Sequence, residues 1–379
     1  MLNDFIRSIP ELFSLLCALA AHRWLWRKAA GTAFERIARL ALGWSAVAVT
    51  MALLLEIPAL WNRMPHSAVL YWVRGGAICW AICLAGLSVS LWLSSVLDKA
   101  IRPERRQFLR FAKTAVFAAP VAITGYGVFI ERRNVRVREV DIAIPGLAKD
   151  LDGLRIAQIT DLHCGPFLSP ADVADIVART NDLRPNITVV TGDLVTRTGD
   201  PLDGCIAELA KLRADAGVYG CMGNHEIYAE CEEYVKTQAA RLGMRFLRGE
   251  RESMPFGSAR INLAGVDYQR MHKPYLVGAE SLMAADGSLN LLLSHNPDAF
   301  HVAKMQGWDL MLAGHTHGGQ ITVEYLKQHL NLARFYTKYV SGLYRENGRA
   351  LYVSRGLGTV GAPIRLGAAP ELTLVRLRG

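Results

Sequence analysis

The chain has 379 residues, 51% of them hydrophobic and 20% charged, and a net charge of +9. Its apolar content excludes general disorder. Its 33 glycines and 7 cysteines, spread without period, exclude a collagen-like or disulfide-scaffold protein. The basic excess is local: residues 1–133 hold 16 Lys and Arg against 7 Asp and Glu, and residues 134–379 balance at 27 each. An excess confined to an apolar third marks membrane topology and argues against a nucleic-acid partner.

Residues 1–133 are expected to form an all-α membrane region of about four transmembrane helices, with the lipid bilayer as partner. The apolar stretches are Ile9–Leu25, Leu40–Trp61, Val69–Leu97 and Thr114–Ile130. The last three are each long enough for a ~30 Å hydrocarbon core. The first carries Pro10, Glu11, His22 and Arg23, and an interfacial helix is its alternative. Arg23, Arg27, Lys28, Arg36 and Arg39 surround the first connection, and Arg63 stands in the second. Lys99, Arg102, Arg105, Arg106, Arg110 and Lys113 precede the last stretch. Positive loops stay inside, so everything after Ile130 is expected outside, although Arg132, Arg133, Arg136 and Arg138 pull the other way. The run Glu104–Arg110 resembles an internal twin-arginine export signal, with a plain basic flank as its alternative; both export the C-terminal part. Glu56, Arg74 and Asp98 lie near span ends, so no buried charge relay suggests a transporter.

From about Asn134 short β-rich runs alternate with helical ones. Strands are expected at Leu154–Thr160, Ile187–Thr191, Gly217–Met222, Leu289–Leu293 and Asp309–Ala313. Helices are expected from Ser169-Pro170, over Pro201–Arg213, and over Cys231–Leu242 with a stop at Gly243. Arg349–Ser354 and Glu371–Leu377 read as antiparallel additions. The alternation argues for a layered α/β domain over residues 134–379.

Polar residues cluster just after these strands, where α/β domains place their sites. In order they are Asp161-Leu162-His163, Gly192-Asp193, Gly223-Asn224-His225-Glu226, Ser294-His295-Asn296 and Gly314-His315-Thr316-His317-Gly318-Gly319. Five of the chain's ten histidines fall in these segments. Carboxylates, an amide oxygen and neutral imidazoles form a mixed O/N ligand set suited to manganese, iron or zinc. In Asp161-x-His163 and His315-x-His317 an extended backbone would put both side chains on one side. One shared carboxylate can bridge two ions roughly 3.5–4 Å apart, as in two-metal hydrolases.

The order of the five motifs resembles the calcineurin-like metallophosphoesterase superfamily, from roughly Val140 to the C-terminus. Ile156–Leu168, Leu292–Pro297, Ala313–Gln320 and Val353–Gly358 with Pro370-Glu371 resemble its membrane-linked bacterial branch, which includes transmembrane metallophosphoesterases and UDP-2,3-diacylglucosamine hydrolases. The resemblance implies a four-layer sandwich of two mixed sheets flanked by helices. It implies two divalent ions (Mn2+, Fe2+/3+ or Zn2+), one held by Asp161, His163 and His317, the other by Asn224, His295 and His315, with Asp193 shared. His225 would sit at the phosphate as the catalytic residue, and a metal-activated water would hydrolyse a phosphate ester or pyrophosphate bond. Arg365 is a candidate substrate contact. A phosphate-containing small-molecule or lipid substrate of the cell envelope follows, with a multi-pass place in a bacterial cytoplasmic membrane. A broad-specificity extracytoplasmic phosphomono- or diesterase is the alternative. A non-catalytic membrane sensor on the same fold would predict lost ligands, and all seven positions are filled.

Overall fold

The computed structural model describes residues 19–27, 30–31, 35–54, 67–100, 106–269, 274–325 and 328–379. It divides the chain into two units, Met1–Glu131 with Gly361–Ile364, and Arg132–Val360 with Arg365–Gly379.

In the first unit residues 19–27 are helical. Three longer helices follow: α1 (Glu35–Leu54), α2 (Ala68–Ala100) and α3 (Arg106–Phe129). α2 packs against both of the others. Gly86 permits its approach to α3, because a Cβ there would stand 3.0 Å from the Cβ of Pro120. Among the described residues, Ala68–Leu93 is the one helical segment long and apolar enough to cross a membrane, and its 26 residues reach about 39 Å. Trp72, Val73, Trp80, Val89 and Trp92 on it are exposed. In a water-soluble core such a helix would turn that surface inward. Of the other expected spans, Leu40–Trp61 coincides with α1 as far as Leu54 and contains the shorter apolar stretch Leu42–Met51. Thr114–Ile130 is largely the second half of α3. Residues 9–18 and 55–66 lie outside the described residues.

The second unit is built on two six-stranded sheets. The first has the order β1 (Arg136–Ala143), β14 (Glu371–Arg378), β2 (Arg155–Ile159), β3 (Ile187–Val190), β4 (Val218–Gly220), β5 (Arg245–Phe246). The second has the order β12 (Gly342–Glu346), β13 (Arg349–Val353), β9 (Leu310–Ala313), β8 (Leu289–Leu293), β7 (Ala259–Gly265), β6 (Glu250–Phe256). A short hairpin, β10 (Thr322–Tyr325) with β11 (Gln328–Asn331), stands apart. Strands β2 to β5 are parallel, as are β7, β8, β9 and β13. β14 is antiparallel to β2 and parallel to β1. β13, expected as an antiparallel addition, runs parallel to β9 and antiparallel only to β12.

Side-chain alternation builds the layers. Ile156 and Val189 of one sheet face Leu291 and Leu312 of the other in a central core. Their neighbours Ile159 and Val190 point the opposite way. There they meet α4 (Pro170–Asp182), α5 (Leu202–Leu209) and α7 (Glu232–Arg241) through Val173, Ile206 and Val235. α8 (Phe300–Gln306) covers the outer face of the second sheet with Phe300 and Ala303. Helix, sheet, sheet, helix is the layered order expected. The central strands are buried on both faces, which is why they read as continuous apolar runs. α4 starts as its residues predict: Ser169 Oγ accepts from the Asp172 N–H, and Asp172 accepts from the Ser169 N–H at 2.7 Å.

Candidate metal centre

Every motif residue follows a parallel strand. Asp161 and His163 follow β2, and Asp193 follows β3. Asn224 and His225 open the one-turn helix α6 (Asn224–Tyr228) after β4. His295 follows β8, and His315 and His317 follow β9. The site thus forms where strand ends of both sheets converge.

The loops are not extended as expected. Asp161, His163, Asp193, His315 and His317 all have positive φ, between 45° and 75°. Left-handed backbone costs about 1–3 kcal/mol per non-glycine residue and persists where the surroundings impose it. Here neighbouring loops impose it. The Asp161 N–H donates to Gly192 O at 3.1 Å, and the His163 N–H to Asp193 O at 3.0 Å. The Gly358 N–H donates to Asp161 O at 2.7 Å. The turned backbone, not a pleat, brings Asp161 and His163 to one side. Glycine is required where these loops touch: a Cβ on Gly223 would stand 2.1 Å from Asp193 Oδ1.

The side chains converge with their lone pairs facing one another. His163 Nε2 lies 3.1 Å from His317 Nε2 and 3.5 Å from Asp193 Oδ2. His317 Nε2 is 3.4 Å from Asp161 Oδ1. His295 Nδ1 stands 2.6 Å from Thr191 O, and the carbonyl fixes the proton on that nitrogen. Its Nε2 then faces Asp193 Oδ2 at 3.0 Å. Potential ligand atoms of Asp161, His163 and His317 lie within 4.8 Å of one another, and so do those of Asp193, His295 and His315. His225 forms a third such group with His163 and Asp193. Its N–H donates to Asp193 Oδ1 at 2.9 Å, and its Nδ1 stands 2.6 Å from Thr196 O, leaving Nε2 for the open side.

Burial decides the protonation states. It pushes the Asp161 carboxyl up to about 6, with the Asp193 carboxylate adding to it and His295 opposing. It holds the His163 and His315 imidazoles neutral, down to about 3, and His317 well below its usual range. His295 is the exception. Burial opposes its charge, but the Asp193 carboxylate, joined by Asp161 and the Thr191 carbonyl, outweighs burial, and together they raise it to about 10. A proton on Nε2 is one way to relieve the two facing lone pairs; a cation is the other.

The residues fit divalent ions on two further observations. Asn224 Oδ1 is buried and has no hydrogen-bond partner among the described residues, a costly state unless something electropositive meets it. The neutral nitrogens of His163 and His317 face each other at contact distance, which a proton or a shared cation must reconcile. Asp, Asn and imidazole together suit borderline metals.

Two residues hold the site without facing it. Glu226 is fully buried and accepts the N–H groups of Asp193 at 2.9 Å, Leu194 at 2.7 Å and Gly223 at 2.7 Å. It ties the Gly-Asp loop to the Gly-Asn-His loop. Arg365, expected to reach a substrate phosphate, is fully buried. Its guanidinium donates to the carbonyls of Gly358, Arg355, Ala368 and His317, and Nη2 lies 3.3 Å from His317 Nδ1. Its charge therefore braces the His317 loop. Sequence reasoning did not find Tyr268, whose hydroxyl stands 3.5 Å from His315 Nε2. The signal was strand β7, whose end places it; that strand was not expected.

A family model for calcineurin-like phosphoesterases matches residues 154–319. An uncharacterized metallophosphoesterase of Helicobacter pylori is 30% identical over 282 residues, 73% of each chain. The chain belongs to the calcineurin-like metallophosphoesterases. As such it is a metal-dependent phosphoesterase, and the two-sheet sandwich is that of its family. Two other relatives of this metallophosphoesterase are informative. A zebrafish (Danio rerio) transmembrane protein with a metallophosphoesterase domain is 29% identical over 311 residues, 78% of this chain and 68% of the relative. The UDP-2,3-diacylglucosamine pyrophosphatase LpxG of Chlamydia trachomatis is 27% identical over 320 residues, 69% of this chain and 95% of the relative.

Proposed function

We infer that this metallophosphoesterase is membrane-anchored and hydrolyses a phosphate ester or pyrophosphate bond of a glycolipid or other cell-envelope substrate. Two divalent ions would serve it, the first on Asp161, His163 and His317, the second on Asn224, His295 and His315, with Asp193 shared. The orphaned Asn224 Oδ1 supports this reading most, because that buried oxygen has no hydrogen-bond partner among the described residues. When bound, the ions would supply Lewis-acid polarisation of the phosphoryl group and a water nucleophile at neutral pH. The protein's own contribution is orientation and proton transfer. Thr191 O and Thr196 O fix the Nδ1 protons of His295 and His225. His225 Nε2 is left to meet the phosphoryl group or to protonate the departing oxygen. Glu226 keeps Asp193 and Asn224 in register through the three amides it accepts.

The apolar, uncovered α2 segment supports the anchor, and the relationship to LpxG supports an acylated sugar pyrophosphate as one candidate substrate. The distribution of basic loops supports a catalytic unit outside the cytoplasm. The test is the full-length protein in nanodiscs, loaded with Mn2+, Fe2+ or Zn2+ and assayed on mono-, di- and pyrophosphate esters, UDP-2,3-diacylglucosamine included. Metal-dependent turnover abolished by a chelator is expected. Full metal loading without turnover on any class would overturn the reading. A C-terminal reporter active only in the cytoplasm would reverse the orientation and favour the nucleotide-linked lipid.

A further inference from the structure

Tyr268 is held with unusual firmness for a loop residue. It follows β7 in the segment Val266–Gln269, and the chain on both sides of it is pinned. On one side the Val266 N–H donates to Leu293 O at 3.2 Å. Asp267 is gripped by Arg248 through two bonds, Nε to Oδ1 at 2.8 Å and Nη2 to Oδ2 at 2.9 Å. On the other side Gln269 Oε1 accepts the Leu276 N–H at 2.8 Å. Gln269 O accepts from Asn296 Nδ2 at 2.7 Å, and Asn296 is the neighbour of His295. The ring between these braces lies against the site, its centroid 6.0 Å from that of His295 and 5.4 Å from that of His315. An aromatic side chain with two torsions, fixed at both neighbours, is pre-organised for contact at little entropic cost.

Its hydroxyl has one hydrogen-bond acceptor among the described residues, His315 Nε2 at 3.5 Å, the outer limit of such a bond. His315 also belongs, with Asp193 and His295, to a group whose potential ligand atoms lie within 4.8 Å of one another. Coordination of a cation there would take the lone pair that Tyr268 now faces. The phenol O–H would then lack an acceptor among the described residues and would be available to an anion held beside His315. His225 approaches from the Asp193 side, with the Tyr228 ring 5.3 Å from its own. A phosphoryl group has three non-bridging oxygens, and a fixed neutral donor on the His315 side is a suitable partner for one of them.

We propose that Tyr268 is a further catalytic residue of this phosphoesterase, donating its phenol hydrogen bond to a non-bridging oxygen of the transferred phosphoryl group beside His315. The proposal rests on the metal-dependent reading above and adds a residue to it. The bond strengthens as the phosphoryl oxygens gather charge, and it plays no part in protonating the leaving group. Tyr268 and His225 therefore differ in one observable. Loss of Tyr268 should cost the same for good and poor leaving groups, whereas loss of His225 should cost less when the leaving group is good.

The experiment compares wild type, Tyr268→Phe and His225→Ala as full-length, metal-loaded protein. Three quantities are read: metal content, affinity for inorganic phosphate by calorimetry, and kcat on a nitrophenyl and an alkyl phosphate ester. Tyr268→Phe keeps the ring and its packing. It should retain wild-type metal content, bind phosphate several-fold more weakly, and lose about ten- to a hundredfold in kcat on both esters, the range of a hydrogen bond to a charged group. Unchanged phosphate affinity, or a kcat within twofold of wild type, would overturn the proposal. So would loss of an ion, which would make the residue part of the ligand shell. A loss confined to the alkyl ester would give it the role assigned to His225 and would also overturn the proposal. If wild type takes up both ions yet hydrolyses neither ester, the proposed function fails, and the phosphate titration still judges Tyr268.

Discussion

The strand-end loops of the catalytic unit and the α2 helix of the first unit break the same rule in opposite directions. In the loops, Asp161, His163, Asp193, His295 and Glu226 are polar and buried. On α2, Trp72, Val73, Trp80, Val89 and Trp92 are apolar and exposed. Each inversion is costly in water alone. Buried polar groups need partners of opposite character, and a broad apolar surface needs something other than water to cover it. One region thus calls for electropositive partners and the other for an apolar cover. Single positions also differ in tolerance: a Cβ on Gly223 would collide with Asp193, whereas a Cβ on Gly76 of α2 or Gly125 of α3 would meet nothing within 4 Å among the described residues.

Removal of the shared carboxylate tests the first region most severely. Asp193→Ala should strip ions more completely than any other single ligand change. Lewis-acid stabilisation of several kcal/mol would go with them, a loss of about a thousandfold or more in turnover. Elemental analysis beside the rate measurement checks this, and a variant that kept both ions would break the shared-ligand assignment.

His225→Ala is next. Both ions should stay bound while kcat falls about 10²–10⁴-fold, mainly in kcat and less for nitrophenyl esters. Metal lost together with activity would make His225 a ligand, an outcome its place in a group with His163 and Asp193 keeps open to experiment.

Glu226→Gln sharpens the contrast between ligand and support. The variant keeps the shape but weakens the bonds to three amides, and support of this kind is worth about 10–100-fold in metal affinity. A metal titration should show that loss with saturating activity largely restored at high metal. Activity that stays low at full occupancy would mean that Glu226 takes part in the chemistry.

The smallest effect belongs to the helices. Gly125→Ala should leave thermal unfolding in detergent within about 1 kcal/mol of wild type, or improve it, since alanine is the better helix former. Gly223→Ala, the same chemical change, should abolish metal uptake. Equal effects at the two positions would remove the distinction between the regions.

Much of the site could be read from residue types and their order. Each motif ends a short apolar run, and such runs declare themselves locally as strands buried on both faces, as Leu289–Leu293 does. The Ser169 cap is equally local. Other features depend on partners remote in sequence. β1 has an exposed, charge-rich pattern with Ile142 as its buried residue, so no continuous apolar run marks it; its pairing with β14 makes it a strand. Arg365 looks like a phosphate ligand until the carbonyls of Gly358, Ala368 and His317 surround it. Asp161 and His163 look pleated until Gly192, Asp193 and Gly358 bend them into left-handed backbone. Tyr268 acquires a role only once β7 lies beside β8. The division has one physical cause. Ligand type and hydrophobic period are properties of neighbouring residues, whereas burial, backbone strain and the partner of a buried charge are set by chain segments that meet only in the folded protein.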